Sequence, residues 1–65
     1  MNITYDPRTD TLSVVFKPGP VAESDEEKPS VILDYDEQDR LVGLEILDAS
    51  KHVPDFSRID FRVAV

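Results

Sequence analysis

The feature that most constrains this chain is the alternation of apolar and polar residues in short runs separated by turn-forming residues. In the first run Met1, Ile3 and Tyr5 occupy every second position, with polar residues between them. Successive side chains of a β-strand point to opposite faces, so a period of two predicts strands with one apolar face. Four further runs share this period, at residues 12–16, 31–35, 42–46 and 59–65.

The first four runs form two predicted β-hairpins. Residues 6–10 join the first two runs, and Asp6 and Pro7 suit the first two positions of a type I turn. The polar residues 36–40 join the next two runs and complete the clearest hairpin of the chain. Gly43 lies inside the last of these strands, where a glycine indicates a bulge or a close backbone approach.

The segment between the two hairpins breaks the alternation. Pro18 and Pro20 cannot donate hydrogen bonds to a strand ladder. Residues 21–27 either form a short edge strand or stay exposed, and their run of acids and the nearby Pro29 favour exposure. The sequence leaves open whether residues 22–29 are ordered.

Residues 48–53 carry the signals of a short helix. Asp48 suits the N-cap, Lys51 and His52 suit the last turn, and Pro54 ends the segment. One or two helical turns do not persist alone in water, so this helix is expected to pack against the sheet.

These elements predict one mainly β (α+β) domain over residues 1–65. We expect an antiparallel sheet of four to five strands, closed by the run at 59–65, with one short helix near residues 48–53 across a face. A chain of 65 residues buries only about 60% of the surface its unfolded form exposes. With no cysteine for a disulfide, its stability depends on a compact core or on a core extended by self-association. Whether residues 54–65 pack on that core or mediate association is open.

The aromatic residues divide into two groups. Four are in phase with aliphatic neighbours and are expected in the core, and these are Tyr5, Phe16, Tyr35 and Phe61. Phe56 is out of phase and lies beyond the helix. We expect it to cap the core, the alternative being an exposed anchor.

The charge of the chain restricts its partners. Seven basic residues stand against fourteen acidic ones, for a formal net charge of −7, and no two basic residues are adjacent. Nucleic-acid binding needs clustered lysines or arginines, so direct binding to nucleic acid or to an anionic membrane is disfavoured. The charge favours solubility and would attract a basic partner.

The sequence shows no targeting or membrane-spanning pattern. Its start lacks a basic region followed by an apolar run, and no stretch approaches the roughly 20 apolar residues that cross a bilayer. Together with the absence of cysteine, these features predict a cytoplasmic protein.

The densest group of acids is Asp34, Asp36, Glu37 and Asp39. Ca²⁺ requires six to eight oxygen ligands, and this group lacks the acid spacing, central glycine and terminal glutamate of an EF-hand loop. Acids are also common in solvated hairpin turns, so we expect a turn and assign no metal ligand.

His52 is the only histidine and thus the natural candidate for acid–base chemistry, with Asp48 or Asp55 as its partner. Ser50 is two residues away, and on a helix such residues do not face each other. Glu45 and Asp48 could be imagined as paired carboxylates, but one small sheet leaves little room for a cleft between them. We therefore assign no catalytic residue, and no glycine-rich loop indicates a cofactor.

Several segments together resemble the bacterial family known as domain of unknown function 2283. The resemblance covers roughly residues 3–52 and leaves the tail outside. It is carried by Ile3-Thr4-Tyr5-Asp6-Pro7 with Asp10 and Leu12, by residues 20–23 and 31–37, and most specifically by residues 40–50. It implies a small bacterial protein and no established activity. It also implies a companion of small toxin-like proteins, such as an acidic antitoxin.

The chain departs from the family pattern at one position. The family usually has a glycine just before the residue that matches Arg40, where this chain has Asp39. A glycine there suits a left-handed position in a turn, and aspartate tolerates that conformation at some energetic cost. We expect the turn to be kept with slightly lower stability.

The function predicted from these features is a non-enzymatic protein-interaction module. Residues 59–65 carry no lysine or proline to protect an edge strand, so pairing with a second copy in a homodimer is expected. One alternative is an antitoxin-like partner that meets a small basic toxin with its acidic segments 23–27 and 34–39. Another is a weak metal or small-ligand binder, or a small enzyme that uses His52.

Overall fold

The computed structural model describes residues 1–65 and arranges five strands in one antiparallel sheet of order β1-β2-β5-β4-β3. The elements are β1 (Asn2–Asp6), β2 (Thr11–Val15), β3 (Glu23–Lys28), β4 (Val31–Tyr35), β5 (Leu41–Ile46) and a 3₁₀ turn (Ala49–Lys51). The last strand, β5, lies at the centre and pairs with β2 and β4. The two edges are β1 and β3.

Both predicted hairpins are confirmed, and aspartates shape their turns. In the first turn the N–H of Arg8 donates to Oδ1 of Asp6 at 2.9 Å. In the turn between β4 and β5, Oδ1 of Asp36 accepts the N–H groups of Arg40 and Gln38, each at 2.9 Å. These bonds lower the pKa of Asp36, and the bond from Arg40 has the largest effect. Asp39 has a φ of 61°, which confirms the left-handed position predicted for it.

The acidic segment between the hairpins is ordered and forms the edge strand β3. All six of its residues are exposed, and they pair with β4 across a tight turn at Pro29 and Ser30. Ser30 takes a left-handed φ of 72° in this turn. Backbone pairing over a short connection, and not burial, therefore makes these residues a strand.

Gly43 satisfies both expectations for a glycine within a strand. The register shifts beside it, so that Asp34 pairs with Gly43 while Tyr35 pairs with Leu41, and the residue between them forms a bulge. A Cβ atom at Gly43 would lie 2.7 Å from the carbonyl oxygen of Val14. Only glycine lets β2 and β5 approach this closely.

The helix predicted at residues 48–53 is wrong. The segment forms only the 3₁₀ turn Ala49–Lys51, so the sheet is mainly β without the predicted α component. Asp48 has a left-handed φ of 51° and its side chain accepts no capping hydrogen bond. An N-cap needs an extended backbone conformation, so Asp48 cannot start a helix, and Pro54 leaves no length for one.

The closing strand predicted at residues 59–65 is also wrong. These residues have no strand assignment, and the five-stranded sheet is complete without them. Their alternating apolar side chains are exposed, from 64% at Ile59 to 77% at Val63. Alternation makes a strand possible, but a strand forms only where a neighbouring edge pairs with it.

The core is much smaller than the sequence predicts. Only Val42, Gly43 and Ala49 are buried. Core membership is wrong for Phe16 and Phe61, which are 39% and 72% exposed. The structure contains no helix of the length and apolar character that crossing a membrane requires.

Candidate interaction surface

One face of the sheet carries most of its aliphatic side chains. Residues paired directly across antiparallel strands point to the same side, and this places two apolar rows across β1, β2, β5 and β4. The rows are Ile3, Val14, Leu44 and Leu33, and Tyr5, Leu12, Ile46 and Val31. We call these eight residues the apolar face. None of them is buried.

The tail of the chain covers half of the apolar face. The ring of Phe56 stacks on that of Tyr5 with centroids 3.7 Å apart and planes inclined by 8°, which confirms Phe56 as a cap. Val53, Phe56 and Ile59 line a cleft of about 310 Å³ with the apolar residues of β1 and β2. Residues 53–59, which we call the cover segment, therefore lie over the β1–β2 half, where Ile3 on the edge strand remains 42% exposed.

The other half of the apolar face has no such cover. It consists of Val31 and Leu33 on β4 with Leu44 and Ile46 on β5, and none of these lines the cleft. We call these four residues the uncovered half. Its outer margin is charged: Asp25 and Lys28 of β3 pair with Leu33 and Val31, and Glu23 pairs with Tyr35, so all three lie on the same side.

A hydrogen-bonded junction at Asp10 holds the start of the tail in place. Its Oδ1 accepts the Tyr5 hydroxyl at 2.8 Å and the Ser50 N–H at 3.0 Å, and its Oδ2 accepts the Ser50 hydroxyl at 2.6 Å. Its carbonyl accepts the N–H of Ala49 at 2.9 Å. The Ser50 hydroxyl is the main cause that lowers the pKa of Asp10, followed by that of Tyr5.

Sequence reasoning missed this junction. It joins residues 40 positions apart in the chain, so no local pattern could reveal it. One signal was present, because Tyr5, Asp10 and Ser50 all lie in the segments that carry the family resemblance. The junction explains why residues of these types stand there: an ionised acceptor joins the first turn to the 3₁₀ turn.

The opposite face of the sheet holds a pair of carboxylates. The Ser24 hydroxyl donates to Oδ1 of Asp34 at 2.6 Å, and Glu45 lies beside Asp34. Burial, and next the nearby Asp34, raise the pKa of Glu45. Oε2 of Glu45 is shielded from solvent and has no hydrogen-bond partner. Glu45 thus pairs with Asp34 and not with Asp48, the partner imagined for it from the sequence.

The acidic group considered for metal binding is not gathered at one point. Asp36 organises its turn, whereas Asp34 extends from the sheet towards Ser24. No three His, Asp or Glu side chains in the structure stand close enough together to hold a metal ion. The four acids are therefore divided between a turn and a sheet face.

The residues considered for acid–base chemistry are also separated. His52 is exposed after the 3₁₀ turn, where its backbone N–H donates to the carbonyl of Ala49 at 2.9 Å. The Ser50 hydroxyl donates to Asp10, and Asp55 accepts the Ser57 hydroxyl at 2.6 Å. The bonds from Ser57 lower the pKa of Asp55. The side chains of Asp55 and Ser50 are each bonded to a residue other than His52.

Comparison with known proteins places the chain in a family. The family model described as "Protein of unknown function (DUF2283)" matches residues 2–50, or 49 of 65 residues. The match spans all five strands and includes the Asp10–Ser50 junction, but ends before the cover segment. No curated protein and no solved structure matches the chain. The chain belongs to the DUF2283 family of proteins of unknown function.

Proposed function

We propose that this chain is a non-enzymatic protein-interaction module that binds through the uncovered half of its apolar face. The observation that carries the proposal is that Val31, Leu33, Leu44 and Ile46 share one side of the two inner strands β4 and β5 and are only partly shielded. A sheet is stable when its apolar face packs against a second layer. This chain supplies such a layer only over the β1–β2 half.

Burial of these side chains would stabilise a complex. Burying one aliphatic side chain completely stabilises a complex by about 1.5–3 kcal/mol relative to leaving it exposed. The four side chains of the uncovered half are already partly shielded, so each gains only part of this amount. They lie on two inner strands of the sheet, so little order is lost on binding. The acids of β3 beside it provide a charged rim, as is usual around an apolar interface centre.

A pull-down with matched variants tests this proposal. The tagged chain is compared with Leu33→Lys, which places a charge in the uncovered half, and with Ile32→Lys, the adjacent residue of β4 on the opposite face. We expect native lysate proteins, including untagged copies of this chain, to be retained by the parent and by Ile32→Lys and lost from Leu33→Lys. Circular dichroism verifies that both variants fold. Equal retention by folded Leu33→Lys would contradict the proposal.

A second candidate is the antitoxin-like partner of a small basic protein. The observation that favours it is β3, an edge strand whose six residues are all exposed and include Glu23, Asp25, Glu26 and Glu27. Such an edge can accept another strand by backbone pairing, and its charge would select a basic one. Charge attraction of this kind accelerates association and is weakened by salt.

The two candidates differ in their response to ionic strength. A complex held by β3 should lose most of its association rate when the salt concentration rises from about 0.05 M to about 0.5 M, because the Debye length becomes shorter than the distance over which the charges act. A complex held by the uncovered half should keep most of its affinity. Stopped-flow association at both salt concentrations separates the two, and an unchanged rate would refute the antitoxin-like role.

A further inference from the structure

We infer that the occupant of the uncovered half is a second copy of this chain, which lays its own residues 60–65 across that surface in a reciprocal, two-fold arrangement. This inference rests on the proposed function and names the partner at the same site. Three features of the molecule support it: the amount of excess surface, the composition of the tail, and the charges at the two places that would meet.

The excess surface matches what a dimer buries. The chain exposes 5297 Å², whereas a compact monomer of 7.4 kDa is expected to expose about 4,200 Å². The excess, about 1,100 Å², is comparable to the ~800 Å² that each partner buries in a standard stable interface. The radius of gyration of 12.7 Å likewise exceeds the value of about 11 Å expected for this length.

The tail alternates apolar and polar residues, as a segment that packs on a sheet does, but its apolar side chains are largely exposed. Phe61 and Val63 alternate with polar residues and are 72% and 77% exposed. The cover segment already occupies the β1–β2 half of its own molecule, so the residues after it are free to reach another. Each copy therefore exposes both an apolar tail and an apolar surface that needs one.

Charge complementarity sets the orientation. The free tail carries Arg62, since Arg58 belongs to the cover segment and its Nε lies 3.5 Å from Oδ2 of Asp60. Asp25 borders the uncovered half on the same side of the sheet, where it pairs with Leu33, and Lys28 pairs with Val31. In a two-fold dimer each contact occurs twice, so Arg62 of each copy meets Asp25 of the other. The net charge of −7 on each copy opposes association, but charges farther apart than about 8 Å are screened at physiological salt.

Sedimentation equilibrium on the full chain, from about 1 µM to about 500 µM at constant salt, tests the inference. We expect a mass of twice 7.4 kDa at the upper concentrations. The double variant Phe61→Ser/Val63→Ser should weaken the dimer at least about 100-fold, because four apolar anchors leave the interface. The control Val15→Ser/Val21→Ser removes two apolar side chains, 39% and 50% exposed, outside the apolar face and should change the dissociation constant less than about threefold.

A charge exchange supplies the second and more specific arm. Arg62→Glu and Asp25→Arg should each weaken the dimer about tenfold, because each creates two like-charge contacts. The combination Arg62→Glu/Asp25→Arg should return the dissociation constant to within about threefold of the parent, since opposite charges meet again. Circular dichroism of every variant separates lost association from lost folding.

The outcomes distinguish the inference from the proposed function. A folded chain that stays monomeric to the highest concentration overturns the inference. So does a dimer that persists in folded Phe61→Ser/Val63→Ser, or one that the charge exchange does not restore. A monomer that still retains another protein through Leu33 leaves the proposed function intact. A folded monomer that retains nothing in a Leu33-dependent way removes both.

Discussion

The β1–β2 half and the β4–β5 half of the apolar face consist of similar side chains but have different surroundings. Over the first half the cover segment places Phe56 on Tyr5 and lines one side of a cleft. The second half has the acidic strand β3 at its margin and no cover. Five strands and their connections occupy residues 2–46 of this 65-residue chain. What remains after the 3₁₀ turn supplies half of a second layer.

The difference locates intramolecular and intermolecular stability in separate places. The covered half is tied to the tail by the Asp10 junction and by an aromatic stack, both within one molecule. The uncovered half has no comparable partner within the chain, so under the proposed function it gains its stabilising contacts only in a complex. Changes in the two halves should therefore affect unfolding and binding differently.

Gly43→Ala should destabilise both halves of the apolar face and cause the largest loss of unfolding free energy. The added Cβ would lie 2.7 Å from the backbone oxygen of Val14, so β2 and β5 must separate where the two halves join. We expect the free energy of unfolding to fall by about 3 kcal/mol, at the upper end of the cost of overpacking. Chemical denaturation at fixed protein concentration measures it, and an unchanged midpoint would show that the strands can part freely.

Phe56→Ala and Phe61→Ala should separate the cover segment from the free tail. Removal of the half-buried ring that stacks on Tyr5 should cost about 2 kcal/mol of unfolding free energy, from lost area and lost stacking. Phe61 is 72% exposed, so its removal should change the unfolding free energy of the monomer by less than about 0.5 kcal/mol. Thermal denaturation at low protein concentration makes the comparison, and equal losses would place both rings on the sheet.

Asp10→Asn should weaken the hydrogen bonds of the junction and show how much stability the charge of Asp10 contributes. Asparagine tolerates the left-handed φ of 53° at this position, so the substitution chiefly removes an ionised acceptor of the Ser50 and Tyr5 bonds. The folded-state pKa of Asp10 is lowered, so its contribution is complete above the unfolded value and is lost as pH falls through the folded one. We expect a lower Tm at pH 7, by less than Phe56→Ala causes, with the difference disappearing in acid. A constant difference across pH would exclude the charge.

Glu45→Gln should change Tm at pH 7 in the opposite direction to Asp10→Asn and by a smaller amount. Burial and Asp34 raise the folded-state pKa of Glu45 above its usual 4.5, so the folded chain favours the neutral form. Stability from this group is therefore greatest below the unfolded pKa and is lost as pH rises through the folded one. Glutamine mimics the neutral form, so Tm should rise slightly at pH 7 and match the parent in acid. A lower Tm for Glu45→Gln at pH 7 would show that its charge stabilises the sheet.

The sequence predicted those parts of the fold that depend on neighbours in the chain. The hairpins, the left-handed Asp39 and the glycine bulge follow from alternation and turn chemistry, which act over a few residues. The sequence-based prediction was wrong where the apolar–polar alternation and the actual strand pairing differ. The residues of β3 lack an apolar pattern yet form a strand, because a tight turn returns them to β4. Residues 59–65 have the pattern but pair with neither edge strand of the sheet.

The candidate surface was predictable only in outline. Alternation indicated an apolar face, but which half of it stays uncovered depends on where the tail runs after residue 50. That path is set by the Asp10–Ser50 bonds between residues 40 positions apart and by a failed helix start at Asp48. Both are tertiary effects that local propensity does not encode.

Asp39→Gly should give the smallest change and extends the comparison to the turn between β4 and β5. Asp39 has a φ of 61°, a conformation that costs a residue with a Cβ more than it costs glycine. Its N–H donates to the carbonyl of Asp36 at 3.1 Å, and glycine keeps that bond. The relief of strain should exceed the added entropy of the unfolded chain, for a net gain of about 0.5 kcal/mol. Because this turn joins the two strands of the uncovered half, the gain should appear in unfolding and leave the dimer dissociation constant unchanged. A tighter dimer in Asp39→Gly would instead show that this turn itself belongs to the interface.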